Sequence, residues 1–172
     1  MGKIQAVKPV KLFCALIYSN KDIYNNAKNY LIEKFGDIDI ETIEIEFIFT
    51  DYYKNEMGET LTRRFLSFRN LINPADLSGI KHITNDIESS YLESGNRKIN
   101  IDPGYLDEAK VVLATTKDYT HRVYIGENMY AEVTLYFNDK IYKPWPWTYP
   151  DYKTKEYIGF FMEMRGFYRE KF

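Results

Sequence analysis

Between Asp102 and Glu132 the chain gathers Asp102, Lys110, Lys117, Asp118, His121, Arg122 and Glu132 among apolar, strand-like runs. Ionisable groups inside such runs are costly unless paired, so this density signals either an ion-pair network or a site. Lys117, His121 and Glu132 are the candidates for proton transfer. His121 follows Lys117 by four residues and Asp118 by three, and an imidazole beside an amine and a carboxylate has the chemistry for general acid–base work. Arg122 and Lys117 offer cationic donors to an anion, with Tyr124 and Tyr130 beside them as ligand-binding candidates. Asp102, Asp118 and Glu132 can together hold Mg²⁺, although neither their spacing nor their number is diagnostic. No other cofactor is evident. The two histidines lack a paired ligand spacing, and His82 lies beside an apolar helical stripe, where packing or surface placement is the expectation. With Cys14 as the only cysteine, a zinc site of several thiolates and an intrachain disulfide are both excluded.

The elements that must position these groups begin with a hairpin. Closing Met129–Phe137 on Arg122–Ile125 through a three-residue loop, Gly126-Glu127-Asn128, sets Tyr124 opposite Tyr130, Arg122 opposite Glu132 and Thr120 opposite Thr134. Val123, Ile125, Met129, Ala131, Val133 and Leu135 then line the other face. Two readings follow. In one, Arg122 and Glu132 are a cross-strand ion pair on a half-wet sheet; in the other, Glu132 holds Arg122 ready for an anion. For Arg63 and Arg64, pairing with Glu44 or Glu46 of the preceding strand is the expectation.

Upstream, Lys11–Tyr18 reads as a strand buried on both faces. Ser19 and Asp22 resemble a capping box for a helix with Ile23, Ala27, Tyr30, Leu31 and Phe35 on one face and Gly36 at its end. Ile43, Ile45, Phe47 and Phe49 alternate as a strand, Asp51–Thr60 is a loop, and Leu61–Ile72 a further strand. Asn73 and Pro74 cap a second helix marked by Leu77, Ile80, Ile87 and Tyr91, before a strand over Lys98–Asp102. Strand, helix, strand, strand, helix, strand is the order of a ferredoxin-like split βαβ core, an α+β arrangement with both helices on one face of an antiparallel sheet.

Beyond it, Asp102-Pro103-Gly104 reads as a turn and Tyr105–Ala109 as a helical turn, followed by strands and hairpins to Lys143. The Pro144–Pro150 segment, Pro-Trp-Pro-Trp-Thr-Tyr-Pro, must run extended. As a cap on the sheet it should bury at least one of Trp145 and Trp147, preferably Trp147. A last helix carries Tyr157, Ile158, Phe161, Arg165 and Tyr168 on one face. The expectation is a single domain over 1–172, with 1–102 as the core and 103–172 as its hairpin and helix extension.

Composition narrows the function classes. At 45% apolar and 28% charged residues the chain reads as an ordinary soluble globular protein. A net charge of −2 gives no support to a nucleic-acid partner. The first nine residues lack the apolar core of a signal peptide, and no segment is long enough to span a bilayer, so a cytoplasmic protein without a membrane partner is expected. The aromatic content, 16 Tyr, 11 Phe and 2 Trp, is high; so many phenols need hydrogen-bond partners or wet edges.

Several stretches carry a family resemblance: Lys8-Pro9-Val10-Lys11-Leu12-Phe13, Thr50-Asp51-Tyr52-Tyr53, Arg63–Phe68, Asp102–Leu106, Ala114–Asp118, His121–Tyr124 and Pro146–Tyr152. With them the chain resembles a family of small uncharacterised bacterial and archaeal proteins, catalogued as a domain of unknown function, some of whose members carry an automatic label of GTP-binding protein. The residues themselves hold no Gly-x-x-x-x-Gly-Lys-Ser/Thr phosphate loop, and Thr116-Lys117-Asp118 lacks the residue that separates lysine from aspartate in the guanine-reading motif. Two functional classes therefore stand. The first is a binding or enzymatic domain for a small anionic ligand, nucleotide- or phosphate-bearing ones included, centred on Lys117, His121, Arg122 and Glu132. The second is a non-catalytic interaction module whose Tyr/Trp surface meets another protein or a second copy of the chain.

Overall fold

The centre of the sheet is β1 (Val10–Tyr18), whose nine residues are all buried. Its even-numbered side chains, Leu12, Cys14, Leu16 and Tyr18, meet α1 (Lys21–Phe35) and α3 (Leu77–Ser90) through Tyr24, Ala27, Leu31, Ile80 and Ile87. Phe13 and Ala15 point the other way, into a core built with α4 (Lys155–Arg169) from Tyr157, Phe160, Phe161, Met164 and Tyr168. Alternation along one strand thus builds two cores on opposite faces, in a computed structural model that describes residues 2–172.

The remaining strands are β2 (Ile38–Glu41), β3 (Ile45–Glu46), β4 (Thr62–Ile72), β5 (Ile99–Leu106), β6 (Lys110–Thr115), β7 (Val123–Gly126), β8 (Met129–Asn138) and β9 (Ile141–Pro144). A fourth, short helix, α2, spans Lys54–Met57. Among the described residues this is one open nine-stranded sheet with four α-helices, in the order β2-β4-β1-β5-β6-β8-β7, with β3 on β4 and β9 on β8. Every pairing is antiparallel.

Several local expectations are corrected. Asn20, not Ser19, caps α1: its Oδ1 accepts from the amides of Asp22 (2.8 Å) and Ile23 (3.2 Å), because the helix starts at Lys21 and Ser19 sits one residue too early. The alternating run 43–49 supplies only the two residues of β3, while β2 forms upstream. Thr42 interrupts that edge by exchanging hydrogen bonds with Phe65, Oγ1 accepting from its amide at 3.0 Å and the Thr42 amide donating to its carbonyl at 3.1 Å.

Asp102-Pro103-Gly104 is no turn, and no helical turn follows it, since β5 runs straight through both to Leu106. The missing amide of Pro103 is tolerated because Pro103 pairs with Cys14 of β1 alone. Gly104 is required by packing. A Cβ there would stand 2.4 Å from the Val112 carbonyl oxygen and 2.6 Å from the Phe13 ring.

β5 and β6 pair only through Gly104–Leu106 and Val111–Leu113. Past that point β6 continues along β8 as far as Thr115, while β5 runs on beside β1. The sheet therefore splits between two neighbouring strands, and a cavity opens in the gap.

The β7–β8 hairpin keeps Tyr124 opposite Tyr130, but its loop has two residues, not three. Glu127 and Asn128 both take positive φ (52° and 59°), and Gly126 (φ 98°) pairs with Met129 across a bulge that absorbs Ile125. The extra residue expected in the loop sits in the strand, so the register beyond it is unchanged.

Of the two tryptophans it is Trp145, not the preferred Trp147, that is the more buried. Trp145 is half-buried, and Trp147 is 40% exposed. The indoles stack on each other (centroids 5.1 Å, planes 7° apart), between Tyr136 at 4.4 Å and His121 at 5.5 Å. Thr148 anchors the segment instead, its Oγ1 donating to the Thr134 carbonyl at 2.6 Å and accepting from the Trp145 amide at 2.8 Å.

Candidate functional site

The cavity where β5 and β6 part has a volume of about 400 Å³, within the range of small-molecule sites. Its walls are the loop from Phe47 to Tyr53, the inner face of β4 at Arg63, α3 at Lys81 and Glu88, the parted strands at Asn100, Asp102 and Leu113–Lys117, and the turn Tyr149–Tyr152. Arg122, just before β7, and Glu132, on β8, also reach it.

Arg63 is delivered by strand alternation, Leu61, Arg63, Phe65 and Ser67 all facing inward and buried. Its side chain is 4% exposed, and Nη2 donates to Asp151 Oδ2 at 3.1 Å. The guanidinium lies 5.0 Å from the Phe47 ring and 5.9 Å from that of Tyr157, close enough for attraction to each ring quadrupole. Its Nε and Nη1 donate to nothing, and the buried hydroxyls of Tyr152 and Tyr157 are likewise without partners. Burial raises the Asp151 carboxyl above its ordinary value against the opposing charge of Arg63.

At the α3 side, Lys81 Nζ donates to the Ile101 carbonyl at 2.9 Å and lies 3.5 Å from Asp102 and 3.9 Å from Glu88. Arg97 forks onto Glu56 (Nε 2.6 Å, Nη2 3.2 Å) and donates to Asn100 at 3.1 Å; Asn100 passes a bond to Asp102 at 2.7 Å. Glu88 accepts the Ile101 amide on Oε1 at 2.7 Å. Burial, helped by the charge of Asp102 and opposed by that of Lys81, pushes Glu88 up to about 7.

The third cluster is the one singled out from the sequence. Glu132, 3% exposed, accepts from Arg122 Nε at 2.9 Å, from Thr134 Oγ1 at 3.4 Å, and lies 3.1 Å from His121 Nε2. Arg122 also donates from Nη1 to the Lys117 carbonyl (3.0 Å) and from Nη2 to the Tyr149 hydroxyl (2.8 Å). Each of its three nitrogens thus already serves the protein, which makes Arg122 a scaffold for the Lys117 backbone and the Tyr149 ring. Lys117 Nζ reaches the Tyr52 hydroxyl at 3.3 Å, above its ring, and this contact lowers the Tyr52 phenol below its usual range.

Lys117, Arg122 and Glu132 therefore meet at the cavity, with His121 behind Glu132 against Trp147. Tyr124 and Tyr130 pair with each other, 5.6 Å between centroids, and are not among the lining residues. Asp102 and Glu132 each have cationic neighbours of their own, Asp118 is exposed, and no three His, Cys, Asp or Glu among the described residues gather as a metal site. His82 contacts the carbonyl of Glu127 at 2.8 Å. The pairing of arginine with Glu44 holds for Arg64, which bonds Glu41 and Glu44, but not for Arg63.

The sequence does not single out Lys81, Glu88, Arg97, Asn100 or Asp151, and for Arg63 it favours pairing with Glu44 or Glu46 over a place in the site. A signal existed for three. Arg63 sits at an inward position of an alternating strand, and Lys81 and Glu88 fall seven residues apart on the apolar stripe of α3. Nothing local marks Asp151, which meets Arg63 across 88 residues.

A family model described as a domain of unknown function, DUF4416, matches residues 8–168, a span that includes every residue of the cavity. The chain belongs to the DUF4416 family. No curated protein and no solved structure matches this DUF4416 chain. Among its described residues no helix is long and apolar enough to cross a membrane.

Proposed function

We propose that the cavity binds a small anionic ligand, and that Arg63 is its principal anchor. One observation carries the reading: a guanidinium buried among aromatic rings has one carboxylate partner, while Nε and Nη1 donate to nothing. Unmade donors of a buried cation are costly, and a carboxylate or phosphate oxygen is the charged acceptor that suits Nε or Nη1, which lie on different edges of the guanidinium. Lys117 at the rim adds a second, solvent-facing charge, and Glu88, its acidity near neutrality, is a proton-transfer candidate alongside Lys117, His121 and Glu132. We read β1–β5 with α1 and α3 as the split βαβ core that carries the site. The order β2-β4-β1-β5, with both helices on one face, supports this.

The test is a thermal-shift screen with acetate, sulfate, phosphate and nucleotides, each with and without Mg²⁺, because a ligand that prefers the native state raises its melting temperature. The Arg63→Lys protein keeps the charge and loses the two unbonded guanidinium donors. The wild type should be stabilised by at least one anion and the variant much less. A wild type that responds to none of them, or a variant that responds as fully, would overturn the proposal.

The second reading, an interaction module, is favoured by the exposed Trp147, Tyr149, Tyr119 and Tyr124 around the same end of the sheet. A chain that elutes as a monomer at all concentrations, and whose ligand response is intact, would count against self-association through that surface.

A further inference from the structure

We infer that the ligand's anionic group is carried on a flat ring, and that Tyr149 is the platform on which this ring stacks. The inference rests on the anion reading above and adds the chemical class of what bears the charge: an aromatic carboxylate or phosphate.

Tyr149 lines the cavity yet is 48% exposed. Every other aromatic side chain of the lining, Phe47, Phe49, Tyr52, Tyr53 and Tyr152, has at least one ring neighbour, whereas Tyr149 has none. An exposed ring with no partner is ordinarily free to turn. This one is held, because its hydroxyl accepts from Arg122 Nη2, and Arg122 is itself fixed by Glu132 and the Lys117 carbonyl. The Arg122–Glu132–His121 cluster thus acts as a positioning assembly for a single open aromatic face.

The anion anchor is close by. Asp151, the ion partner of Arg63, lies two residues from Tyr149, so at most about 7 Å of chain separates them. Phe49 and Tyr52, both exposed, line the same cavity and add further aromatic surface to it. Stacking of a flat ring on an aromatic side chain is worth on the order of tenfold or more in affinity.

The experiment is calorimetric titration of the full chain with two matched pairs, acetate against benzoate and inorganic phosphate against phenyl phosphate. In the wild type the ring-bearing member of each pair should bind roughly tenfold tighter. In Tyr149→Leu the ratio within each pair should fall to about one. Tyr149→Phe retains the ring, gives up the bond from Arg122, and should keep most of the ratio, which separates stacking from a general loss of structure. Equal affinities within each pair in the wild type, or a ratio that survives in Tyr149→Leu, would overturn the ring assignment while leaving anion binding in place. Binding by neither member would take the anion reading itself down, and this inference with it.

Discussion

Asp151→Asn tests the most costly feature of the fold. Asp151 and Arg63 are 6% and 4% exposed, and the one bond between them, Nη2 to Oδ2 at 3.1 Å, is among the described residues the only hydrogen bond made by the Arg63 guanidinium. The substitution keeps the shape of the side chain and removes its charge. A buried pair broken on one side leaves an uncompensated ion, at about 3–5 kcal/mol. In a chain of 172 residues each kcal/mol moves the melting temperature by roughly 2–4 °C, so a fall on the order of 10 °C is expected. Circular dichroism melts at neutral pH, with and without sodium sulfate, measure it. Sulfate stabilises proteins generally, so the informative quantity is the difference in its effect between the two proteins. It should be larger in Asp151→Asn, where the anion supplies the missing countercharge. Melting temperatures within about 2 °C and equal sulfate increments would show the carboxyl to be already neutral in the fold. The argument that Arg63 is a cation waiting for an anion would then fail.

Glu132→Gln should lower stability by roughly 3 kcal/mol or more in urea denaturation, because Arg122 would lose its buried charged partner; a loss under about 1 kcal/mol would reduce the cluster to a surface pair. For Glu88 the sign runs against the usual carboxylate. Its folded value, about 7, lies above its unfolded value, so its contribution to stability is fully present below about pH 4.5 and is lost as pH rises through 7, up to about 3 kcal/mol in all. The stability of the wild type relative to Glu88→Gln, followed by urea denaturation from pH 5 to 8, should therefore fall with rising pH, and a flat difference would contradict the raised value.

How much of this was legible before the structure differs by element. The long apolar strand 10–18, both helical stripes of the first half and the last helix were readable because each is driven by periodic burial that one window of sequence contains. The pairing of Tyr124 with Tyr130, and of Arg122 with Glu132, was readable because a hairpin register is a local count, and a bulge at Gly126 restored it when the loop proved shorter. The strand through Asp102-Pro103-Gly104 was not. Pro and Gly signal a turn locally, and only the neighbours decide otherwise: β1 on one side, and on the other an open gap where no amide is needed.

By itself, then, the sequence determined which segments would seek burial, that the sheet would be antiparallel, and that Arg122 and Glu132 would meet across one hairpin. What tertiary structure decided was which charges lacked partners. Arg122, paired with Glu132 as the hairpin register predicts, is also spent on a backbone carbonyl and Tyr149, while Arg63, expected to pair with Glu44 or Glu46, reaches across 88 residues to Asp151 and keeps two nitrogens unbonded. The physical reason is that propensity and periodicity act over a few residues, whereas the pairing of a buried charge depends on every element that closes over it. Hydrogen-bond satisfaction belongs to the assembled fold.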